Sequence, residues 1–425
     1  MAFQQGLSGL NAASKALDVT GNNVANSATV GFKSATTHFA DVYANSLAGS
    51  GASVVGIGTM VAAVQQQFTQ GNITTTNNSL DISINGNGFY RMSTNGTITY
   101  SRSGQFHLDK DGYIIDDQSR RLTGYNAVNG KVITSSATDL QVSSAPIAPV
   151  ATGSTGKGMT ADLTFDSRSE VPTPTSGTFS ISDPTSYNWS TATSIYDSLG
   201  NAHTFTLYAV STATAGEWNV YTSVDGTDPA NSGTAANPGT LTFDTSGNVT
   251  GTGVIGVSVD LDAVMAAQTP AQTNKASSPL AFNIDFGGST QYGTSFATNN
   301  LQQDGYTTGS LTGVSVSADG IIQGNYSNGK TKDLGQVVLA NFANPNGLAS
   351  LGSNQWAETS ASGSALVGAP SSGTLGALQS SSIEESNVDL TAELVNMITE
   401  QRNYQANAQT IKTQDSIMQT LVNLR

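Results

Sequence analysis

The 425-residue sequence predicts a multi-domain, mainly β protein: paired N- and C-terminal α-helices of coiled-coil type, extended connectors, and two β-rich domains, the second inserted in the first. Three observations predict it. Apolar residues recur at alternating three- and four-residue steps at both chain ends. Between the ends the period falls to two, around Asn-Gly and Asp-Gly pairs. The composition, with 45 Gly, only 11% charged residues and a middle dominated by Ser, Thr, Asn and Gly, suits short strands and tight turns, because Thr favours extended backbone while Gly and Asn tolerate positive φ.

Taken in order, Phe3, Leu7, Leu10, Ser14, Leu17, Gly21 and Val24 fall on one stripe of a helix over residues 2 to 27, about 40 Å long. Its lower half, GNNVANS, is poor in helix formers and would be unstable alone. At the far end, Leu390, Leu394, Met397, Gln401, Tyr404, Ala408, Ile411, Asp415, Met418 and Val422 keep the same alternation for about five heptads, with Ile398, Ile417 and Leu421 widening the apolar face. Asn387 or Ser386 is placed to cap this helix, Asp389 and Glu393 are acidic near its start, and Arg425 is basic at its end, as the macrodipole prefers. Gln401 and Asp415 interrupt the stripe, either to fix register or to face solvent. Matching stripes predict that the two helices pair, making 1–29 with 383–425 one helical domain.

Residues 30–75 and 360–382, the latter rich in Ser, Gly and Ala, read as extended connectors. LDISINGNGFYRMS and GTITYSRSGQFHLDKDGYIID alternate around turn dipeptides and predict hairpins, as does Leu311 to Pro345. An inner β domain is therefore drawn from 76–145 with 290–359. An inserted outer β domain, 146–289, carries Trp189, Trp218, HTFTLYAV and LAFNIDF.

Charge and residue usage exclude several classes. The net charge of −14, from 16 basic against 30 acidic residues, comes without any Lys/Arg run. Nucleic acid is thus an improbable partner, and acidic bilayers are disfavoured by the same sign. The absence of Cys removes disulfides, thiolate metal sites and thiol catalysis. MAFQQGLSGLNAASKAL has neither a basic n-region nor an unbroken apolar h-region, so no cleaved signal is expected. No apolar run is long enough for direct membrane insertion. His38, His107 and His203 sit alone, without metal-ligand spacing. LDKDG at 108–112 has half the ligands of a calcium loop and reads as a turn. GSTGKG at 153–158 departs from the phosphate-loop spacing, and GIGTMV at 56–61 reads as connector. No catalytic residue, metal or cofactor is expected.

GNNVANSATVGFKS at 21–34, DISINGNGFYRM at 81–92, YSRSGQFHLDKDGYIID at 100–116 and the whole of 386–425 resemble the axial rod and hook proteins of the bacterial flagellum. The hook type is matched best, and in the middle of the chain no motif of that family is recognised, as expected of a domain that varies within it. The resemblance implies a non-enzymatic subunit that self-assembles head-over-tail into a helical tube, flexible and curved, transmitting motor torque as a universal joint. It implies homopolymer contacts and, as further partners, the distal rod, the hook cap, the hook–filament junction proteins and the type III export apparatus. It also implies an extracellular location reached without a cleaved signal peptide. The residues expected in subunit packing are Leu7, Leu10, Leu17, Asn22, Asn23, Val24, Asn26, Leu390, Leu394, Met397, Tyr404, Ile411, Met418 and Val422, with the asparagines suited to hydrogen bonds between subunits. Two alternatives stand beside this: a distal rod or other axial subunit, which generally has a smaller insert, and a secreted carbohydrate-active or carbohydrate-binding β protein. The second would need clustered carboxylates with exposed aromatics, for which 7% aromatic residues without a repeat give no pointer.

Overall fold

A computed structural model of the chain describes residues 2–42, 56, 58–174, 178–227, 239–268 and 270–423. The chain forms two compact units: residues 1–144, 312–325 and 331–425 make the first, and residues 145–311 with 326–330 the second.

Three α-helices occur among the described residues: α1 (Ala2–Ala25), α2 (Leu261–Ala267) and α3 (Leu390–Asn423). In the first unit α1 and α3 pack together, and α1 also lies on a two-stranded antiparallel hairpin, Ala35–Val42 with Gly58–Gln66. The expected connector at 30–75 is thus largely a paired ribbon, apart from 43–55 and 57, which lie outside the described residues. Its backbone groups find partners across the hairpin, as buried or half-buried amides require. The expected connector at 360–382 is likewise paired: Leu366–Gly368 joins the main sheet, and Ala377–Ser380 pairs with Ile82–Asn85. Ser382–Glu384 then pairs with Ile73–Thr75.

The main sheet of the first unit runs in the order Leu311–Val316, Ile321–Tyr326, Thr331–Val337, Arg121–Val128, Phe89–Thr94, Thr97–Ser101, Gln355–Ala357, Ala349–Gly352. Asn95 and Gly96, both at positive φ, close the Phe89–Ser101 hairpin, the conformation a two-residue type I′ turn demands. The Asn-Gly pairs at 85–88 do not make a hairpin, because Ile82–Asn85 pairs with the C-terminal Ala377–Ser380 and not with its neighbour in sequence. Phe68, Phe89 and Trp356 meet edge to face at 5.5–5.6 Å and anchor the apolar core beside Tyr100 and Phe342.

The second unit is a sandwich. One sheet is antiparallel, in the order Trp189–Tyr196, Ala202–Ser211, Glu217–Val224, Gly239–Thr242. The other holds Val254–Val259, Leu280–Asp285, Met159–Asp166 and Thr290–Tyr292, with Ala297–Gln303 antiparallel to Met159–Asp166. Alternate residues Met159, Ala161, Leu163 and Phe165 point into a core shared with Phe205, Leu207, Trp218, Val220, Phe282 and Ile284. The insert therefore reaches Leu311, not 289. The strands at 290–303 follow the pairing of Met159–Asp166, which their own sparse apolar alternation does not announce.

Terminal helix pair as candidate functional site

The buried face of α1 is not the leucine stripe. Gly6, Ala12, Ala13, Ala16, Thr20 and Asn23 are buried, while Phe3 and Leu7 are 51% and 44% exposed and Leu10, Leu17 and Val24 are half-buried. The row Gly6, Gly9, Ala13, Ala16, Thr20, Asn23 lies one residue, or about 100°, around the helix from the expected one. Small side chains let the helix axes approach closely: a methyl on Gly9 would come within 2.7 Å of the Asn407 amide, and one on Gly6 within 3.1 Å of Ile411 Cγ1. Asn23 meets Glu393 at the other end of the contact, so α1 and α3 run antiparallel. The helices do pair, as expected. They do so through small residues on α1, which corrects the expectation of matched apolar stripes.

On α3 the half-buried positions are Glu393, Met397, Glu400, Asn407, Ala408, Ile411 and Gln414, and no described side chain is buried. Met397 and Ile411 from the expected set thus share the intrachain seam. Leu390, Leu394, Tyr404 and Met418 are exposed, as are Val395, Ile398 and Ile417. Leu421, Val422 and Arg425 fall where side chains lie outside the described residues.

The asparagines serve the chain itself. Asn23 Nδ2 donates to Ala35 O (2.9 Å) and Glu393 Oε1 (3.1 Å), and its Oδ1 accepts from Ala35 N (2.9 Å). Asn23 is buried with both ends of its amide engaged within the chain. Asn26 Nδ2 bonds Asn22 Oδ1 at 2.6 Å, closing the helix terminus; Asn22 is exposed and Asn26 half-buried. The start of α3 is capped by Asp389, whose Oδ1 accepts from Thr391 N and Ala392 N. Of the two expected caps, Asn387 instead accepts from Ser34 N at 2.7 Å and donates to Gln67 O and Thr69 Oγ1, and Ser386 Oγ accepts from Val388 N, ahead of the helix.

Beneath the helices lies a cluster that sequence reading missed. Lys33 Nζ donates to Glu384 Oε1 and to Thr69 O, both at 2.6 Å. Arg102 Nε stands 3.2 Å from Glu384 Oε2, and its Nη atoms donate to Gly86 O and Gly88 O. The three side chains are between 0% and 4% exposed. Burial, and then the charge of Arg102, push the Lys33 ammonium below its usual value. Lys33 and Glu384 are far apart in sequence, and no periodicity links them. The small row on α1, by contrast, was there to be read at three- and four-residue steps.

The three histidines stand apart: on the surface, His38 Nε2 lies 3.4 Å from Thr36 Oγ1 and His107 Nδ1 lies 3.8 Å from Asp117 Oδ1. His203 is buried in the second unit between Asp225 (Nδ1 to Oδ2, 2.7 Å) and Asp197 (3.7 Å). Among the described residues no group of three His, Asp or Glu is placed to hold a metal, and no helix is long and apolar enough to cross a membrane. LDKDG is a hairpin turn, with Asp109 Oδ1 accepting from Asp111 N and Tyr113 N. The GSTGKG loop wraps a carboxylate of its own chain: Gly153 N and Gly158 N donate to Asp304 at 2.7 and 3.1 Å.

Four families match in chain order: "Flagella basal body rod protein" over residues 3–33, "Flagellar hook protein FlgE/F/G D1 domain" over 83–145, "Flagellar basal body protein FlaE D2 domain" over 162–306, and "Flagellar basal body rod FlgEFG protein C-terminal" over 379–424. The terminal helices, the inner sheet and the inserted sandwich together define an axial protein of the flagellum. Within that class, the chain is 43% identical to the flagellar hook protein FlgE of Salmonella typhimurium and to that of Escherichia coli, over the whole of both chains in each case. It is 31% identical to that of Borreliella burgdorferi, over 100% of this chain and 99% of that one. The chain belongs to the flagellar hook protein family. Among solved structures, a Helicobacter pylori flagellar hook protein, FlgE2, aligns at TM-score 0.48 and 11% identity over 72% of this chain and 99% of that chain.

Proposed function

We propose that this chain is the repeating subunit of the flagellar hook, self-assembling into a flexible, curved tube that carries motor torque to the filament as a universal joint. Membership of the hook family along the whole chain supports the assembly. The observation that carries the contact residues is the apolar surface left on the helix pair: Phe3 and Leu7 on α1, and Leu390, Leu394, Val395, Ile398, Ile417 and Met418 on α3, are all exposed. Apolar side chains spaced at helical steps gain about 25 cal/mol per Å² on leaving water, and in a homopolymer the available surface is that of other copies. Copies stacked head-over-tail bury these stripes without a closed stoichiometry, as a helical, non-closing contact requires. Leu7, Leu10, Leu17, Val24, Leu390, Leu394, Tyr404 and Met418 are the packing residues in this reading.

A tube that turns while curved shortens each row of subunits on its inner side and lengthens it on the outer side once per revolution. Polar, weakly specific outer surfaces suit such sliding, and the Ser/Thr/Asn-rich insert supplies them. Export unfolded through the flagellar type III apparatus, without a cleaved signal, and end contacts with the distal rod, the hook cap and the hook–filament junction proteins belong to the same proposal. Electron microscopy of the purified full-length chain under polymerising conditions tests it. Short curved tubes are expected; straight tubes would indicate a rod-type subunit, and absence of any polymer would overturn the reading.

A further inference from the structure

Six Asn-Gly pairs stand in the sequence, at 85–86, 87–88, 95–96, 129–130, 328–329 and 346–347, and the fold holds them unequally. The 95–96 and 129–130 pairs are each the two-residue tip of a hairpin, joining Thr94 to Thr97 and Val128 to Lys131, with all four tip residues at positive φ. Asn95, Gly96 and Asn129 are exposed. Among the described residues neither of these asparagine side chains has a hydrogen-bond partner, and neither Gly96 N nor Gly130 N donates to an acceptor. We propose that Asn95 and Asn129 are sites of spontaneous deamidation, where water replaces the side-chain amide and leaves aspartate or isoaspartate in the turn.

The chemistry needs a free backbone nitrogen next to a carboxamide that can turn towards it. The glycine nitrogen loses its proton to hydroxide and bonds to the asparagine Cγ; the Cγ–Nδ2 bond breaks, and Nδ2 leaves as ammonia with a proton from solvent. Water then opens the five-membered imide. Cleavage at Cγ gives aspartate, and cleavage at the main-chain carbonyl gives isoaspartate, in which the chain runs through Cγ. One water is consumed and one ammonia released, with no oxidant or reductant. Glycine has no Cβ to obstruct the attacking nitrogen. The turn must open for Cγ to reach that nitrogen, and at an exposed hairpin tip the opening is local and breaks little.

The other four pairs are tied down. Asn328 Nδ2 donates to Thr307 O at 2.7 Å, its Oδ1 accepts from Lys330 N at 3.1 Å, and Gly329 N donates to Tyr326 O at 2.9 Å. Gly347 N donates to Asn344 O at 3.0 Å, and Gly86 N to Gln70 Oε1 at 3.0 Å, with Asn85 held in the ladder opposite Ala377. Asn87 O accepts from Gly376 N at 2.7 Å, and Gly88 is buried with its carbonyl held by Arg102. Each hydrogen bond that must open first slows the reaction roughly 2- to 10-fold. Isoaspartate puts an extra carbon in the backbone, which a two-residue turn does not accommodate, so conversion loosens the two hairpins at their tips. Each event also adds a carboxylate to a chain already at −14. The inference concerns the covalent chemistry of the folded chain and holds whatever the chain assembles into.

The test holds full-length chain at mildly alkaline pH, both native and in denaturant, and follows each Asn-Gly pair by peptide mapping and mass spectrometry. A protein isoaspartate O-methyltransferase with labelled S-adenosylmethionine is the probe for isoaspartate. In denaturant all six pairs are expected to convert at similar rates, since all carry glycine after asparagine. In the native chain Asn95 and Asn129 are expected to convert at least about tenfold faster than Asn328, whose three hydrogen bonds must open. Asn328 converting as fast as either tip, or tips that stay intact while the denatured chain converts, would overturn the inference. Asn95→Gln is expected to abolish the methyl-acceptor signal from the peptide spanning 89–101 and to leave the signal at Asn129 unchanged, because the longer side chain must close a six-membered ring. A signal that persists in the 89–101 peptide would place the reaction elsewhere and refute the assignment.

Discussion

Truncating Leu390 and Leu394 together probes the assembly surface at two side chains that the monomer leaves unburied. Both lie on the first turns of α3 and are 45% and 44% exposed. Complete burial of a leucine side chain is worth about 1.5–3 kcal/mol, so with slightly under half still accessible each has about 1 kcal/mol to gain in an interface. Leu390→Ala with Leu394→Ala forfeits most of that, about 1.5–2 kcal/mol per subunit contact, equivalent to a roughly 10- to 30-fold rise in critical concentration. Alanine has the higher helix propensity, so α3 is not weakened locally. The assay is the unsedimented concentration at equilibrium after seeding with parent polymer, with helicity by circular dichroism as the control. A change below about threefold with unaltered helicity would show that these leucines meet nothing in the tube, and the assembly argument would fail at its base.

Further outcomes follow from the rest of the molecule. The hydrogen bond with Asp225 raises the His203 pKa above its ordinary value, against the opposing effect of burial. A His with a raised folded-state pKa stabilises fully below its unfolded value near 6.5, and that contribution is lost as pH rises through the folded value. The calorimetric melting temperature of the second unit is thus expected to fall as pH rises above the unfolded histidine's value, and His203→Gln to flatten the slope. Gly31→Ala places a methyl 2.7 Å from Ser103 N at φ +71°, and a loss of about 2–3 kcal/mol in denaturant unfolding of the first unit is expected. Asp304→Asn loosens the 153–158 loop, read as faster amide exchange at Gly153 and Gly158 with a stability loss of about 1–2 kcal/mol. Replacing residues 145–311 by a short linker is feasible because Ile147 bridges Gly309, so the chain enters and leaves the insert side by side. Tubes of altered curvature or stiffness are expected in micrographs, and normally curved ones would remove the insert from the bending mechanism.

What the sequence discloses, and what it hides, divides along sequence separation. Turn chemistry is local and legible. Asp109, Asp116, Asp197 and Asp244 each accept from the backbone N–H groups two and four residues on, and the fourth residue of each turn has positive φ: Gly112, Ser119, Gly200 and Gly247. An Asp followed three residues later by Gly therefore marks the turn by mechanism, since the carboxylate replaces a backbone acceptor and Gly accepts the left-handed backbone. Ser119 shows that the rule has exceptions. Strand partners are another matter, because period-two alternation says which face is buried but not against what. Ile82–Asn85 reads as half of a hairpin with its neighbour, yet its ladder is completed by Ala377–Ser380. The Lys33–Glu384 pair is invisible for the same reason: either residue alone is an ordinary charged side chain, and only the fold brings them to 2.6 Å.

The helix faces carry the last step. An amphipathic helix in a closed domain turns its largest apolar side chains to its partner, because area buried sets the gain. Here α1 does the reverse, turning Gly6, Gly9, Ala13 and Ala16 to the interior of its unit and leaving Phe3 and Leu7 outside. The antiparallel register sets Gly6 against Ile411 and Asn23 against Glu393. The start of α1 therefore lies near residue 415 of α3, and Ile417 and Met418, 47% and 60% exposed, stand beyond its end. A 34-residue helix with no buried described side chain gains little from intrachain packing, and isolated helices draw little stability from propensity alone. Small residues hold the pair narrow and leave the large apolar side chains on its outside. A Gly9→Leu substitution inverts that design: it forces Asn407 aside, widens the pair, and is expected to raise the critical concentration while leaving Leu390 and Leu394 as exposed as before.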